Sequence, residues 1–101
     1  MIVYNETVIV DEAVHLEWLK WMQQVHIPNI MATGHFTLYQ VLNVLDSPNE
    51  GVTYCIQYMA DNKPAVDAFF TEHLQGFHQA LHQQFENKFV LFNTVMKTVA
   101  P

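Results

Sequence analysis

Residues 36–60 read FTLYQVLNVLDSPNEGVTYCIQYMA. Two runs rich in β-branched and aromatic side chains, 36–45 and 52–60, flank Asp46-Ser47-Pro48-Asn49-Glu50-Gly51, a segment dense in turn formers. The pattern predicts a β-hairpin with a longish loop. On its N-terminal side, apolar positions recur at helical spacing from Val14 to His26. Trp21, Val25, Val14, Trp18, Met22 and Leu19 fall within an arc of about 160°, and Glu17, Lys20, Gln23 and Gln24 fall outside it. Asp11 is placed to cap this helix. Pro28 ends or kinks it, and a short turn through Met31 stops at Gly34. On the C-terminal side, Asp61 or Asn62 caps a second helix with Pro64 in its first turn. Val66, Phe70, Phe77 and Leu81 share one face of that helix, with Phe69 and Leu74 flanking. Gly76 is its weak point and Asn87 its stop. Residues 2–10 (IVYNETVIV) and 89–98 (FVLFNTVMKT) read as the first and last strands.

The order is strand, helix, strand, strand, helix, strand. Connection and handedness rules reduce this to one common α+β solution, the ferredoxin-like βαββαβ plait. It has a four-stranded antiparallel sheet with both helices on one face, here as a single domain over 1–101. The other face meets water unless something covers it, and a half-wet strand alternates apolar and polar. These strands do so only in part. Phe36, Leu38, Leu42 and Val44 oppose Tyr39, Val41 and Leu45; Phe89, Leu91 and Val95 oppose Val90, Phe92 and Met96. A face carrying several large apolar residues marks an interface, which predicts a two-fold homodimer through the open sheet face, of the dimeric α/β-barrel type.

Four Lys+Arg against ten Asp+Glu, a net charge of −6, argues against nucleic acid and anionic membrane surfaces. No apolar run is long enough to span a bilayer, and no signal peptide is evident. One cysteine, Cys55, excludes an intramolecular disulfide and fits a reducing cytoplasm. Its strand context predicts a buried small hydrophobe.

Histidine supplies the candidate chemistry, with six in the chain. His26 and His73 border apolar helix faces and are candidate proton-transfer groups. His78 and His82, spaced i, i+4, are a candidate metal pair, but no motif supplies further ligands, so a metal is not expected. Six histidines protonate by about pH 5 and bring the net charge near zero, lowering solubility there. Trp18 and Trp21 suit a core, with indole N–H groups satisfied at its boundary, or stacking on a flat ligand. Ser47 lacks the context of a nucleophile, and the three glycines are isolated, so no phosphate loop exists. No cofactor is expected. All four Lys+Arg are lysines, which removes the bidentate clamp for phosphates and carboxylates.

Glu17-Trp18-Leu19-Lys20-Trp21-Met22, His26-Ile27-Pro28, Met31-Ala32-Thr33-Gly34, Thr53 to Tyr58, Glu72-His73 and Lys88-Phe89-Val90 together resemble a bacterial family of small proteins, domain of unknown function 4286, common in the Bacteroidetes. The resemblance runs along essentially the whole chain and implies no activity. It implies that His26, His73 and His82 stand where the family tends to have histidine. The chain departs from the pattern near Asn93, where an arginine is expected. At the level of fold, the plait is similar to the dimeric α/β-barrel superfamily, which includes cofactor-independent quinone-forming monooxygenases and haem-degrading enzymes. Those line a cavity between sheet and helix with His, Trp and Asn. That analogy nominates Trp18, Trp21, His26, His73, Asn5 and Asn43 as ligand-pocket residues, though one fold hosts many functions. Three readings follow: a non-catalytic or small-ligand-binding dimer, an oxygenase- or isomerase-like enzyme, and a protein-interaction subunit docking through a strand edge or the open face. The sequence names no ligand.

Overall fold

The computed structural model describes residues 1–101. Strand β1 (Ile2–Val10) precedes helix α1 (His15–Trp21), which a π-helical turn (Met22–His26) joins to α2 (Ile27–Met31). Strands β2 (Leu38–Asn43) and β3 (Val52–Ala60) form the hairpin. Helix α3 (Lys63–Phe69), a second π-helical turn (Phe70–Leu74) and α4 (Gln75–Gln84) then run on to β4 (Phe89–Lys97). The sheet order is β2-β3-β1-β4 and all neighbours are antiparallel, which is the ferredoxin-like plait.

Register decides what parity left open. Tyr4 and Val8 of β1 stand opposite Tyr58 and Tyr54 of β3 and opposite Val95 and Leu91 of β4. These positions share the covered face, where Tyr4, Val8, Tyr54 and Tyr58 pack with Trp18, Met22, Val66, Phe69 and Leu81 in one core. The open face carries Leu38, Gln40 and Leu42; Thr53, Cys55, Gln57 and Met59; Val3, Asn5, Thr7 and Ile9; and Val90, Phe92, Thr94 and Met96. None of these is charged. Leu38, Leu42, Val90, Phe92 and Met96 are exposed. Cys55 is half-buried on this face beside Thr7, and not in the core.

Several boundaries differ from expectation. The second strand starts at Leu38, because the chain bends at His35–Thr37 and sends Phe36 into the core against Tyr4, Tyr58 and Phe69. It ends at Asn43, leaving Val44 and Leu45 exposed. The first helix does not stop at Pro28. The π turn immediately upstream shifts the hydrogen-bond register, so that Pro28 enters as the second residue of α2, where its missing N–H costs little. Asp11 bonds the Ala13 N–H at 2.9 Å and builds the turn before the helix, which begins at His15. The second helix is irregular at Phe70–Leu74, just before Gly76. The Asn62 side chain caps α3 by accepting from Ala65 N at 3.0 Å, and Asn87 turns the chain at φ 61°.

Gly51 closes the hairpin loop at φ 88°, and a Cβ there would lie 2.5 Å from the Val10 carbonyl oxygen. Gly34 has a similar φ, 81°, but open space around it. Gly51→Ala is therefore expected to cost on the order of 2–3 kcal/mol and Gly34→Ala about 1 kcal/mol. Urea midpoints at unchanged m-value measure both; equal losses would contradict the steric argument.

Candidate functional site

The inward stripe of β1 reads Ile2, Tyr4, Glu6, Val8, Val10, and one member is a carboxylate. Glu6 is 2% exposed. Its Oε2 accepts from the Tyr4 hydroxyl at 2.6 Å and lies 2.9 Å from His78 Nε2 of α4, while Oε1 has no protein partner. Burying a carboxylate is costly unless it is paired and hydrogen-bonded. Both partners here donate to one oxygen and leave the other with free acceptor capacity. Burial, and then the Glu6 charge, raise the Tyr4 phenol far above its ordinary range, so its hydroxyl stays a donor. Where Nε2–H of His78 donates to Glu6, the neutral imidazole of that tautomer presents Nδ1 as an acceptor.

Between α4 and β4 a groove of about 430 Å³ leads to this pair. His78, Leu81 and His82 line it from the helix, and Phe89, Leu91 and Asn93 from the strand. Asn93 is the cross-strand neighbour of Glu6. Over the middle of the sheet, by contrast, Tyr4, Phe36, Tyr58 and Phe69 fill the space beneath the helices.

A second groove, about 390 Å³, runs between the two helical arms and holds Trp21, His26, Glu72, His73 and Phe77. Each arm presents its π turn there, and such turns recur at functional sites. His26 is 3% exposed, stacked on Trp21 at 4.7 Å and edge-on to Phe77 at 5.6 Å. Burial drives its pKa down to about 4 against the opposing pull of Glu6, with His78 adding to the lowering.

Of the six residues nominated as a pocket, the structure gathers three, Trp21, His26 and His73, in the groove between the helices. Trp18 is wholly buried against Tyr54, and its indole N–H is unpartnered instead of being satisfied at a boundary. Asn5 lies on the opposite face of the sheet, bonded to Thr7, and Asn43 is exposed at the end of β2. His78 and His82 do not form a metal pair with a third ligand: His78 is engaged by Glu6, and His82 packs on Phe89 at 4.9 Å. Glu6, Tyr4, His35 and Glu72 were missed. The signal for Glu6 was its parity, a lone charge in an otherwise apolar inward stripe.

The family described as "Domain of unknown function (DUF4286)" matches residues 1–99. No curated protein matches the chain. Among solved structures, the fold is similar to HapK from Hahella chejuensis (TM-score 0.71, 14% identity, covering 100% of this chain and 95% of that one). It is also similar to a putative antibiotic biosynthesis monooxygenase from Deinococcus radiodurans (0.64, 20%, 100% and 95%). A third is a dimeric ferredoxin-like protein from an uncultured marine organism (0.65, 10%, 99% and 95%). At these identities the likeness is one of fold.

The neutral state of His26 has a consequence for stability. The unfolded chain binds a proton there below about pH 6.5, whereas the fold resists it down to about 4. The contribution is complete above pH 6.5 and is lost as pH falls towards 4, by on the order of 3 kcal/mol. A urea series across that window should therefore show a shallower pH slope for His26→Gln than for the native chain. Parallel slopes would place the titration elsewhere. The same shift removes one of the six positive charges expected by pH 5.

Proposed function

The chain belongs to the DUF4286 family, and since its description carries no activity we infer function from the site itself. We propose that the protein is a small cytoplasmic homodimer, one ferredoxin-like unit of Bacteroidetes type per chain, that binds a small organic molecule in the groove between α4 and β4. The observation that carries this reading is the buried Glu6 carboxylate holding His78 at the inner wall of that groove. An apolar side chain at position 6 would fold without the desolvation cost, so the retained charge has its use in what it holds. Apolar walls with a few convergent polar groups are the usual make-up of a small-molecule site. The ligand is uncharged or cationic, because the chain has no arginine and a net charge of −6.

The same pair favours a second reading, that of an enzyme. A histidine held by a carboxylate through one nitrogen offers the other as a proton acceptor. One protein of similar fold is described as a putative monooxygenase, which makes proton removal from a bound phenol or ketone the reaction class to try first. The uncharged open face, with exposed Leu38, Leu42, Val90, Phe92 and Met96, supports the dimer, and another protein of the same fold is described as dimeric.

Two measurements test this. Native mass spectrometry of fresh protein should give twice the 11.7 kDa chain mass, and Phe92→Asp should give a folded monomer. A native chain that is already monomeric would overturn the dimer and favour docking to another protein through that face. An NMR screen with small uncharged phenols and ketones should perturb His78, His82 and Phe89 in the native chain and lose those shifts in Glu6→Gln. Perturbations confined to other surfaces would overturn the site.

A further inference from the structure

His35, Glu72 and His73 point one donor atom each at a common space. Glu72 Oε2 lies 3.4 Å from His35 Nε2 and 3.8 Å from His73 Nε2, and the three atoms all fall within 4.8 Å of one another. Neither N···O contact has hydrogen-bond geometry: both exceed the usual range, and no bond forms between these side chains. Two imidazole nitrogens and a carboxylate oxygen that converge in this way are a donor set that a single cation could join. A tetrahedral zinc ion, with ligand bonds of about 2.0–2.1 Å, holds its donor atoms about 3.3 Å apart. The two Glu72 contacts, 3.4 and 3.8 Å, are near that value, and the two imidazole nitrogens would close the rest by turning towards a shared ion from within 4.8 Å.

Local structure explains the convergence. Gly34, at φ 81°, turns the chain after α2 so that His35 faces the second helical arm. The π turn Phe70–Leu74 carries Glu72 and His73. Phe69 packs against both imidazoles, edge-on to His35 at 6.2 Å and tilted to His73 at 5.9 Å, which restrains their rings. The ion-pair partners of Glu72 are the two imidazoles themselves, and no lysine joins them. Two of the three donors also line the groove between the helices, beside Trp21, Val25 and Phe77.

From these observations we propose that His35, Glu72 and His73 bind a divalent metal ion of the zinc class, with its remaining coordination position open to the groove between the helical arms. Two histidines and one glutamate are a donor set suited to zinc, and a three-ligand site keeps a position for water or for an oxygen or nitrogen of a small ligand. The site shares no residue with the groove between α4 and β4, so it stands or falls separately from the function proposed above.

Chelator-treated native protein titrated with zinc in a calorimeter should take up one ion per chain. Cobalt(II) in its place should show the intense visible absorption of a tetrahedral complex. His35→Gln and His73→Gln should each weaken zinc binding about a hundredfold, and Glu72→Gln about tenfold or more. All three positions are at least partly exposed, and Glu72→Gln conserves shape, so far-ultraviolet circular dichroism should match the native chain. Zinc binding that is absent, or that survives all three substitutions because other surface histidines carry it, overturns the site.

Discussion

A carboxylate held out of water beneath two helices constrains much of what surrounds it. Glu6 sits on the central strand, bonded on both sides to β3 and β4, so it cannot swing out to solvent. Its desolvation has to be offset where it stands. Tyr4, two residues earlier on the same stripe, offers its hydroxyl, and to do so the ring lies among Phe36, Tyr58, Phe69 and Phe70. His78 supplies the other bond from 72 residues away, which ties the register of α4 to the sheet. Leu81, one turn on, completes the anchor as a buried side chain. A polar contact thus joins the apolar packing of Phe77 and Leu81 in setting α4 on the sheet.

The helical arms answer a related demand. Each carries one π-helical turn, at Met22–His26 and Phe70–Leu74. A regular helix advances side chains by 100° per residue and keeps its apolar stripe straight. An extra residue in one turn rotates the rest of the stripe. In the first arm this brings His26 under Trp21 and still buries Ile27 and Ile30 beyond it. In the second it sets Glu72 and His73 towards the neighbouring arm, while Val66 and Leu81 on either side remain in the core. Both irregularities border one groove, so the two arms depart from regularity where they face each other.

Most of the fold was legible because its signals are local and periodic. The β-branched and aromatic runs of 2–10 and 52–60, the helical stripe of Trp18 and Met22, and the turn chemistry of 46–51 each specify an element on their own. What stayed hidden depends on partners distant in sequence. Phe36 reads as the first residue of a strand, yet a bend at 35–37 turns it into the core, which no local alternation reveals. Pro28 reads as the end of a helix or a kink in it, and the irregularity takes the form of a π turn immediately upstream that carries Pro28 into α2. His78 and His82 read as a candidate metal pair short of further ligands, since the carboxylate that engages His78 is distant in sequence, on β1. Glu6 was visible as an anomaly in its stripe, although parity alone did not say which stripe the helices cover. His26 and His73 read as residues bordering apolar helix faces; the structure buries His26, leaves His73 half-buried and sets both in one groove.

The open face of the sheet carries its own argument about specificity. An interface made from apolar side chains alone binds without a preferred register. Here the exposed apolar residues Leu38, Leu42, Val90, Phe92 and Met96 lie on the two edge strands, and polar side chains are interspersed across all four, Gln40, Gln57, Asn5 and Thr94 among them. Gln40 donates to Gln57 at 2.7 Å across β2 and β3, and Asn5 donates to Thr7 at 3.0 Å along β1. Asn5 is only 6% exposed, yet its carbonyl oxygen has no partner within the chain. A buried amide oxygen left unpaired costs about 1–3 kcal/mol. That oxygen is also closed to solvent in the single chain, so its cost is borne within the chain whatever covers the face. In the proposed dimer the exposed apolar residues would supply affinity, and the polar side chains set among them would favour the alignments that give each a polar partner, a selection that a wholly apolar face could not provide.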